Sequence, residues 1–181
     1  MLMATKVRRW TSADLESLPD DGNRYEVLDG ELFVTPQAAY DHQRVAMRIA
    51  IALHPYCRQH GVGDIVGPGA VVWAKNELQP DVEVIPIHER PRPKAKWREL
   101  PRPILVVEVL SDSTRGRDHG KKRRAYARLR IPTYWTVDID EQSIEIWSAD
   151  ASESLTVIDV LKWAPLANVP PLEIPLDSIF G

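Results

Sequence analysis

Three charged side chains have the types that metal-dependent phosphodiester hydrolysis requires. Asp81 follows Pro80 at the start of a β-patterned run, so its carboxylate is expected at a sheet edge. Glu108 interrupts the apolar run 104–110, where a buried charge is costly unless it is paired or bound to a metal. Two carboxylates with a backbone carbonyl make a hard oxygen site, which suits Mg²⁺ or Mn²⁺. Such an ion acidifies a bound water and stabilises charge on a phosphate.

Lys122 supplies the third group, from a helix predicted over residues 117–129. Asp118, Lys122, Tyr126 and Leu129 recur at helical spacing and share one face, and the two apolar members make that face the inward one. Lys122 is therefore expected to point toward the sheet, where an ammonium group positions water or neutralises developing charge. Two simpler readings stay open: an ion pair between Lys122 and Asp118, and a Glu108 that is solvated or paired with an arginine.

A second row of basic residues follows the same predicted helix and is expected to face outward. Residues 115–130 contain eight lysines and arginines and one acid, whereas residues 138–181 contain nine acids and one base. This asymmetry permits a phosphate-facing surface on a chain whose net charge is −3, although the charges alone favour a plain solvated helix face. The outward row available to a nucleic-acid backbone consists of Arg117, Lys121, Arg124 and Arg128.

The elements that position these residues follow from hydrophobic periodicity and turn signals. Strands are predicted at Arg24–Leu28 and Glu31–Thr35, joined into an N-terminal hairpin by Asp29-Gly30. A helix is predicted over 40–56 and stopped near Gly61. Further strands are predicted at 70–73, 81–85, 104–110, 133–138 and 143–148, with a polar turn at 75–77 and a proline-rich loop at 88–103. The fold class is therefore α/β, a mixed β-sheet flanked by helices.

Length and composition bound the remaining possibilities. A chain of 181 residues fits one domain, with a core over about 11–148 and a tail over 149–181 that is expected on the surface. The single cysteine, Cys57, excludes an intramolecular disulfide and a cysteine-based zinc site. The sequence contains neither an apolar run of membrane-helix length nor a secretory signal, which favours a cytoplasmic protein without membrane contact.

Several short motifs together resemble the Uma-two family, which contains restriction-endonuclease-like proteins of the PD-(D/E)XK superfamily. The resemblance extends from about residue 11 to residue 148 and rests on the order and spacing of the motifs. They are Arg24-Tyr25-Glu26-Val27-Leu28-Asp29-Gly30-Glu31, His42, Pro80-Asp81, Val107-Glu108-Val109-Leu110-Ser111, Asp118…Lys122…Tyr126 and 132–138.

The resemblance implies a restriction-endonuclease-like fold and metal ligation by Asp81, Glu108 and the carbonyl of Val109. Leu110 stands where the superfamily's E-x-K pattern has its lysine, so Lys122 is the candidate replacement and Lys121 the second choice. Glu26 matches an early family glutamate and is expected to line the site, against the alternative of an ordinary strand glutamate. For His42, a capping or surface role is favoured over metal binding.

The leading functional hypothesis is a Mg²⁺- or Mn²⁺-dependent endonuclease that hydrolyses DNA. The main alternative is a catalytically weak or inactive nuclease fold that binds nucleic acid or serves as an oligomeric interaction module, motivated by Leu110 and the acidic net charge. A third reading is a metal-dependent hydrolase with a smaller phosphate substrate. A homodimer is plausible for an enzyme that cuts both strands of a duplex.

Overall fold

The computed structural model describes residues 8–86 and 92–181, which contain five α-helices, a short 3-10 helix, a π-helical segment and twelve strands. The helices are α1 (Ser12–Leu15), α2 (Tyr40–His60), α3 (Arg115–Arg117), α4 (Arg123–Arg128) and α5 (Asp177–Phe180). The strands are β1 (Arg24–Leu28), β2 (Glu31–Thr35), β3 (Gly63–Val66), β4 (Val71–Trp73), β5 (Asn76–Leu78), β6 (Val82–Pro86), β7 (Leu105–Val109), β8 (Thr133–Asp138), β9 (Ser143–Ser148), β10 (Leu155–Val157), β11 (Val160–Trp163) and β12 (Leu172–Pro175).

A six-stranded mixed sheet forms the centre of the fold, in the order β10-β9-β8-β7-β6-β3. Strands β7 and β8 are parallel and every other neighbouring pair in this sheet is antiparallel. All five residues of β7 are buried, as its nearly continuous apolar sequence predicts for a central strand. The predicted mixed sheet flanked by helices is confirmed.

A four-stranded antiparallel sheet, β2-β1-β5-β4, covers one face of the central sheet together with α4. The predicted hairpin of β1 and β2 is confirmed, with positive φ at Asp29 and Gly30 in its turn. The predicted polar turn at 75–77 was wrong in part. Asn76 and Glu77 belong to strand β5, and the reversal falls at Ala74, whose φ is 49°.

Helix α2 covers the opposite face of the central sheet through Val45, Ile49 and Leu53. It runs four residues beyond its predicted end and stops at Gly61, which takes the left-handed conformation expected of a C-terminal cap. Helix α2 is also the longest helix among the described residues, and none of these helices is both long and apolar enough to cross a bilayer.

The C-terminal segment was expected to lie over the surface, and this expectation was wrong. Strand β10 extends the central sheet, and β11 pairs with β12 in a separate hairpin. The side chains of Leu161, Trp163, Ile174, Ile179 and Phe180 are buried in the same core as α2. The proline content of the segment concealed this, because each of its apolar stretches is only a few residues long.

Glu83 is a buried acid in β6 outside the predicted site. Its side chain is 1 % exposed, and a backbone hydrogen bond from Ala70 only partly offsets the effect of burial on its pKa. Burial raises the pKa of the Glu83 carboxyl to about 7. The folded protein therefore binds a proton at Glu83 between about pH 5 and 7 that the unfolded chain has released.

Substituting Glu83→Gln should reduce the pH dependence of stability. Because the pKa is raised on folding, the free energy of unfolding falls as the pH rises from about 5 to 8. The neutral amide removes this contribution, roughly 3 kcal/mol across that range. Urea denaturation at several pH values measures it, with the exposed Glu153→Gln as the matched control. A Glu83→Gln protein with the wild-type pH profile would contradict this account of Glu83.

Candidate active site

Asp81 and Glu108 come from neighbouring chain segments at one end of strands β6 and β7. The antiparallel register pairs Val82, the first residue of β6, with Val107, and the amide of Asp81 donates to the carbonyl of Val107 at 3.1 Å. Asp81 directly precedes β6, Glu108 directly follows Val107 in β7, and the charge of Asp81 is near enough to raise the pKa of Glu108. The two acids that the sequence predicts as metal ligands therefore lie near each other at this end of the central sheet.

The carboxylate of Asp81 is held by protein donors on both oxygens. Its Oδ1 accepts from Arg24 at 2.7 Å, and its Oδ2 accepts from the amide of Val109 at 2.8 Å. The Nε2 atom of His42 lies 3.3 Å from the same Oδ2 and 2.9 Å from the Val109 carbonyl. Burial alone would raise the pKa of Asp81, but contacts with His42, Arg24 and the Val109 amide lower it below its ordinary value. The Asp81 carboxylate therefore remains ionised.

Lys122 is completely buried and joins Glu108 to Glu26. Its Nζ lies 2.9 Å from Oε1 of Glu108 and 2.8 Å from Oε1 of Glu26. Asp118 is a more distant partner at 3.5 Å. The ion pair with Asp118, which the sequence left open as a simpler reading, is therefore the longest of the three contacts. Tyr126 donates its hydroxyl to the same Glu108 oxygen at 3.0 Å. The expected inward direction of Lys122 is confirmed.

Glu26 also binds groups besides the lysine. Its Oε1 accepts from the amide of Gln79 at 2.8 Å, and Arg117 lies 3.3 Å from its Oε2. Burial alone raises the pKa of Glu26, but Lys122, Arg24 and Arg117 lower it below its ordinary value. Glu26 therefore contributes a second fixed negative charge beside Lys122.

The helix that carries Lys122 contains a π turn over Asp118–Lys122. Within it, the amide of Arg123 donates to the carbonyl of Asp118, five residues earlier. A π turn changes the angular phase between the segments on either side and often occurs at functional sites. The predicted inward face is still buried despite the π turn, because its four residues are all buried: Asp118, Lys122, Tyr126 and Leu129.

The outward row is changed by the same π turn. Arg117 lies directly before the π turn and points inward. Its side chain is 12 % exposed, and its guanidinium lies near Glu26 and Thr35. Its predicted place on an outward nucleic-acid-binding row was therefore wrong. Lys121, Arg124 and Arg128 are exposed as predicted. Lys121 contacts Glu31 on the hairpin, which directs it away from the acids and leaves Lys122 as the lysine beside Glu108.

The buried polar cluster contains one more carboxylate than cations. Its acids are Glu26, Asp81, Glu108 and Asp118, and its cations are Arg24, Arg117 and Lys122. Burial raises the pKa of Glu108 to about 8, and the neighbouring acids add to the increase that Lys122 opposes. Burial alone lowers the pKa of Lys122, but the surrounding acids raise it well above its ordinary value. The surrounding acids thus keep the lysine charged, and burial together with the neighbouring acids makes Glu108 harder to ionise than an ordinary glutamate.

The donor set fits a hard divalent cation. Asp81 and Glu108 offer carboxylate oxygens, the Val109 carbonyl shares His42 as a neighbour with Asp81, and the excess negative charge favours a cation. Among the described residues, no group of three or more histidine, cysteine, aspartate or glutamate side chains is arranged as a metal site. The candidate set therefore depends on two acids and a backbone carbonyl.

A solvent-open cleft of about 680 Å³ reaches the Asp81 end of the cluster. Arg24, His42, Asp81 and Leu110 are among its lining residues, whereas Glu26, Glu108 and Lys122 lie behind it. Leu110, at the superfamily's lysine position, thus presents an apolar side chain at the cleft. Lys122 occupies the space behind Glu108 from the helix side.

Sequence reasoning missed two contributors to this site. His42 is 7 % exposed and contacts both Asp81 and the Val109 carbonyl, so the expected surface role was wrong. Arg24 binds Asp81 and lines the cleft. Both residues stand in motifs quoted for the family resemblance, and their positions there were the available signal.

A family model described as "Uma2: Putative restriction endonuclease" matches residues 12–175 of the chain. The chain belongs to the Uma2 family. The match includes the C-terminal hairpin in addition to the sheet that carries Asp81 and Glu108. All the residues of the buried polar cluster lie within the region that the Uma2 model covers.

One solved structure and one curated sequence resemble this Uma2 family member. The structure is the 1.96 Å crystal structure of a putative nuclease belonging to DUF820 from Anabaena variabilis ATCC 29413. It aligns with a TM-score of 0.79 over 94 % of this chain and 97 % of its own, at 14 % identity, which establishes a shared fold. An uncharacterized protein of Synechocystis sp. (strain ATCC 27184 / PCC 6803 / Kazusa) is 30 % identical over 109 residues, 58 % of this chain and 54 % of its own length.

Removing the lysine charge should destabilise the protein strongly. Lys122→Met leaves Glu26 and Glu108 buried without their shared cation, which typically costs about 3–5 kcal/mol. Adding Glu26→Gln should recover part of that loss, because one of the uncompensated charges is then removed. Urea denaturation of the single and double variants measures both effects.

The neighbouring Lys121→Met is the control, because Lys121 is exposed and should change stability by less than about 1 kcal/mol. Equal stabilities of the Lys122→Met and Lys121→Met proteins would contradict the buried network as described.

Proposed function

We propose that this chain is a divalent-metal-dependent nuclease that hydrolyses phosphodiester bonds of DNA. The observation that carries the proposal is the buried ammonium group of Lys122 against Glu108, with Asp81 near Glu108 at one end of the central sheet. Membership of the family described as "Putative restriction endonuclease" supports the proposal. Mg²⁺ is the proposed ion and Mn²⁺ the expected substitute.

Asp81, Glu108 and the Val109 carbonyl are the groups that would hold the ion. When bound, the ion would lower the pKa of a water molecule and offset negative charge on the phosphate. The protein would supply the shape of the site, the fixed charges around it and the route by which substrate reaches it.

Lys122 acts in this proposal as a fixed positive charge. Its raised pKa keeps the ammonium group protonated at neutral pH, so it does not accept a proton from water. Its contacts with Glu108 and Glu26 fix its position before substrate arrives. A preorganised charge of this kind stabilises negative charge that develops during reaction without further reorganisation.

Arg24 is proposed to receive the scissile phosphate. It lies between Asp81 and the open cleft, where it already donates to Asp81 and to the carbonyl of Gln79. A guanidinium group offers five donors in a plane, so it can bind a phosphate while keeping a carboxylate partner. Glu26 is proposed as a charge that holds Lys122 in place.

His42 is proposed to orient the Val109 carbonyl and Asp81. Its Nε2 atom is within 3.3 Å of both groups, and its Nδ1 atom is buried without a hydrogen-bonding partner among the described residues. In this role His42 sets the direction of two proposed ligands from helix α2.

A non-catalytic nucleic-acid-binding module is the second candidate function. It is favoured by the contacts that already occupy both oxygens of Asp81 and by the leucine at position 110. A homodimer remains part of the nuclease proposal, because two symmetric sites would address both strands of a duplex. Light scattering of the purified protein tests the dimer separately from cleavage.

The cleavage experiment uses supercoiled plasmid DNA with Mg²⁺ or Mn²⁺. Asp81→Asn and Glu108→Gln should each reduce the rate by about 100-fold or more, because each removes a proposed ligand charge while nearly preserving shape. Lys162→Met, an exposed lysine away from the site, should keep the rate within a few-fold of wild type. Circular dichroism of each variant establishes that it is folded.

Metal-dependent cleavage that persists in both carboxylate variants would overturn the assignment of this site. Metal-independent DNA binding by a folded wild-type protein that does not cut DNA would instead select the binding-module function.

A further inference from the structure

A second cleft lies around the turn of the β1–β2 hairpin and is lined mainly by basic side chains. Its volume is about 460 Å³. Leu28 is its one apolar side chain and is 1 % exposed, so the charged side chains and the hairpin turn form the accessible lining. We call it the basic cleft, and its cations are Arg8, Arg9, Lys121, Arg124 and Arg128. The whole chain has a net charge of −3, so this local group of cations has the opposite sign to the chain as a whole.

The backbone of residues 8–10 is fixed across the hairpin turn. The amide of Trp10 donates to the carbonyl of Gly30 at 3.0 Å, and the Arg8 guanidinium lies 3.8 Å from the centre of the Trp10 ring. Gly30 has a positive φ, and a Cβ atom there would lie 3.4 Å from Cγ of Arg9. The Arg9 side chain therefore packs against the backbone of the hairpin turn at Gly30. This position puts Arg9 in the same cleft as the cations of α4.

The acids of the basic cleft neutralise only part of its charge. Glu31 contacts Lys121, and Asp29 contacts Arg128 at 3.0 Å. Arg9 and Arg124 form no ion pair within residues 8–86 and 92–181. Ion pairs as exposed as these contribute at most about 1 kcal/mol each, so an incoming polyanion can replace them at little cost.

The hairpin connects the basic cleft to the candidate active site. Arg24 and Thr35, at the open end of the hairpin, line the cleft beside Asp81, while Asp29 and Gly30 at its turn line the basic cleft. Six residues of extended chain from Arg24 to Gly30 span roughly 20 Å. At 3.4 Å per base pair, that distance corresponds to about six base pairs of duplex DNA.

We propose that the basic cleft binds the phosphate backbone of the DNA substrate about six base pairs from the bond at the active site. The inference rests on the proposed function for its substrate but on separate residues for its evidence. Four of the five cations are arginines, whose planar donors suit phosphate oxygens. A contact with the backbone alone would strengthen binding without selecting a sequence.

The test measures DNA binding without cleavage. A labelled 20-base-pair duplex is titrated by fluorescence anisotropy at several salt concentrations, using the Asp81→Asn protein with EDTA present. Adding Arg9→Ala and Arg124→Ala should weaken binding at least about 10-fold. It should also reduce the slope of log affinity against log salt by about 2, because two phosphate contacts are lost.

The matched control adds Arg58→Ala and Lys162→Ala to the same protein, which removes the same charge from other surfaces. Its affinity should stay within about two-fold of the parent, and its slope should be unchanged. Equal losses in the two double variants, or no loss in either, would overturn the basic cleft as a binding surface, as would the absence of DNA binding by the parent. If the wild-type protein cuts plasmid DNA in a way that depends on Asp81, but the basic-cleft variants do not show the predicted loss of binding, the basic-cleft proposal is wrong and the proposed nuclease function is retained.

Discussion

The buried ammonium group of Lys122 is the interaction on which the arrangement of the site depends. Three elements meet at this one group: β7 supplies Glu108, β1 supplies Glu26 and the helix supplies Lys122 and Asp118. Burying these acids without a cation would cost several kcal/mol for each charge. The network therefore joins the hairpin sheet and the helix to the central sheet at a fixed position, with Asp81 and Arg24 beside it in the lining of the open cleft.

The charge of the cluster links its structure to its proposed chemistry. The cluster has one acid more than the available cations. Burial and the neighbouring acids make Glu108 hard to ionise, while Arg24, His42 and the Val109 amide favour the ionised form of Asp81. In the proposed mechanism a bound divalent cation would offset this excess negative charge, and the positive charge on Lys122 would serve both the fold and the reaction.

The sequence predicted the parts of this site that depend on local periodicity. The apolar run around Glu108 identified a buried central strand, and the spacing of Asp118, Lys122, Tyr126 and Leu129 identified the inward helix face. Both inferences use short-range patterns that the tertiary structure preserves. The hairpin followed from Asp29-Gly30 for the same reason.

The remaining contacts arise from chain segments far apart in sequence, or from backbone geometry without a sequence signal. Arg117 lies beside Glu26 and not on the predicted outward face, next to the π turn in the helix. Hydrophobic periodicity gives no sign of a π turn, which differs from an α-helix in its backbone hydrogen bonds. His42 contacts Val109, 67 residues away, so its burial depended on how α2 packs against the sheet. The C-terminal hairpin likewise joined the core through pairing that its short apolar stretches did not reveal.

The most direct test is an anomalous-scattering map from crystals of the protein grown or soaked with Mn²⁺. The account predicts one strong peak between the carboxylates of Asp81 and Glu108, within coordination distance of the Val109 carbonyl, with Lys122 still against Glu26. A peak elsewhere, or carboxylates still held by Arg24 and Lys122 with no metal at saturating Mn²⁺, would contradict the proposed site.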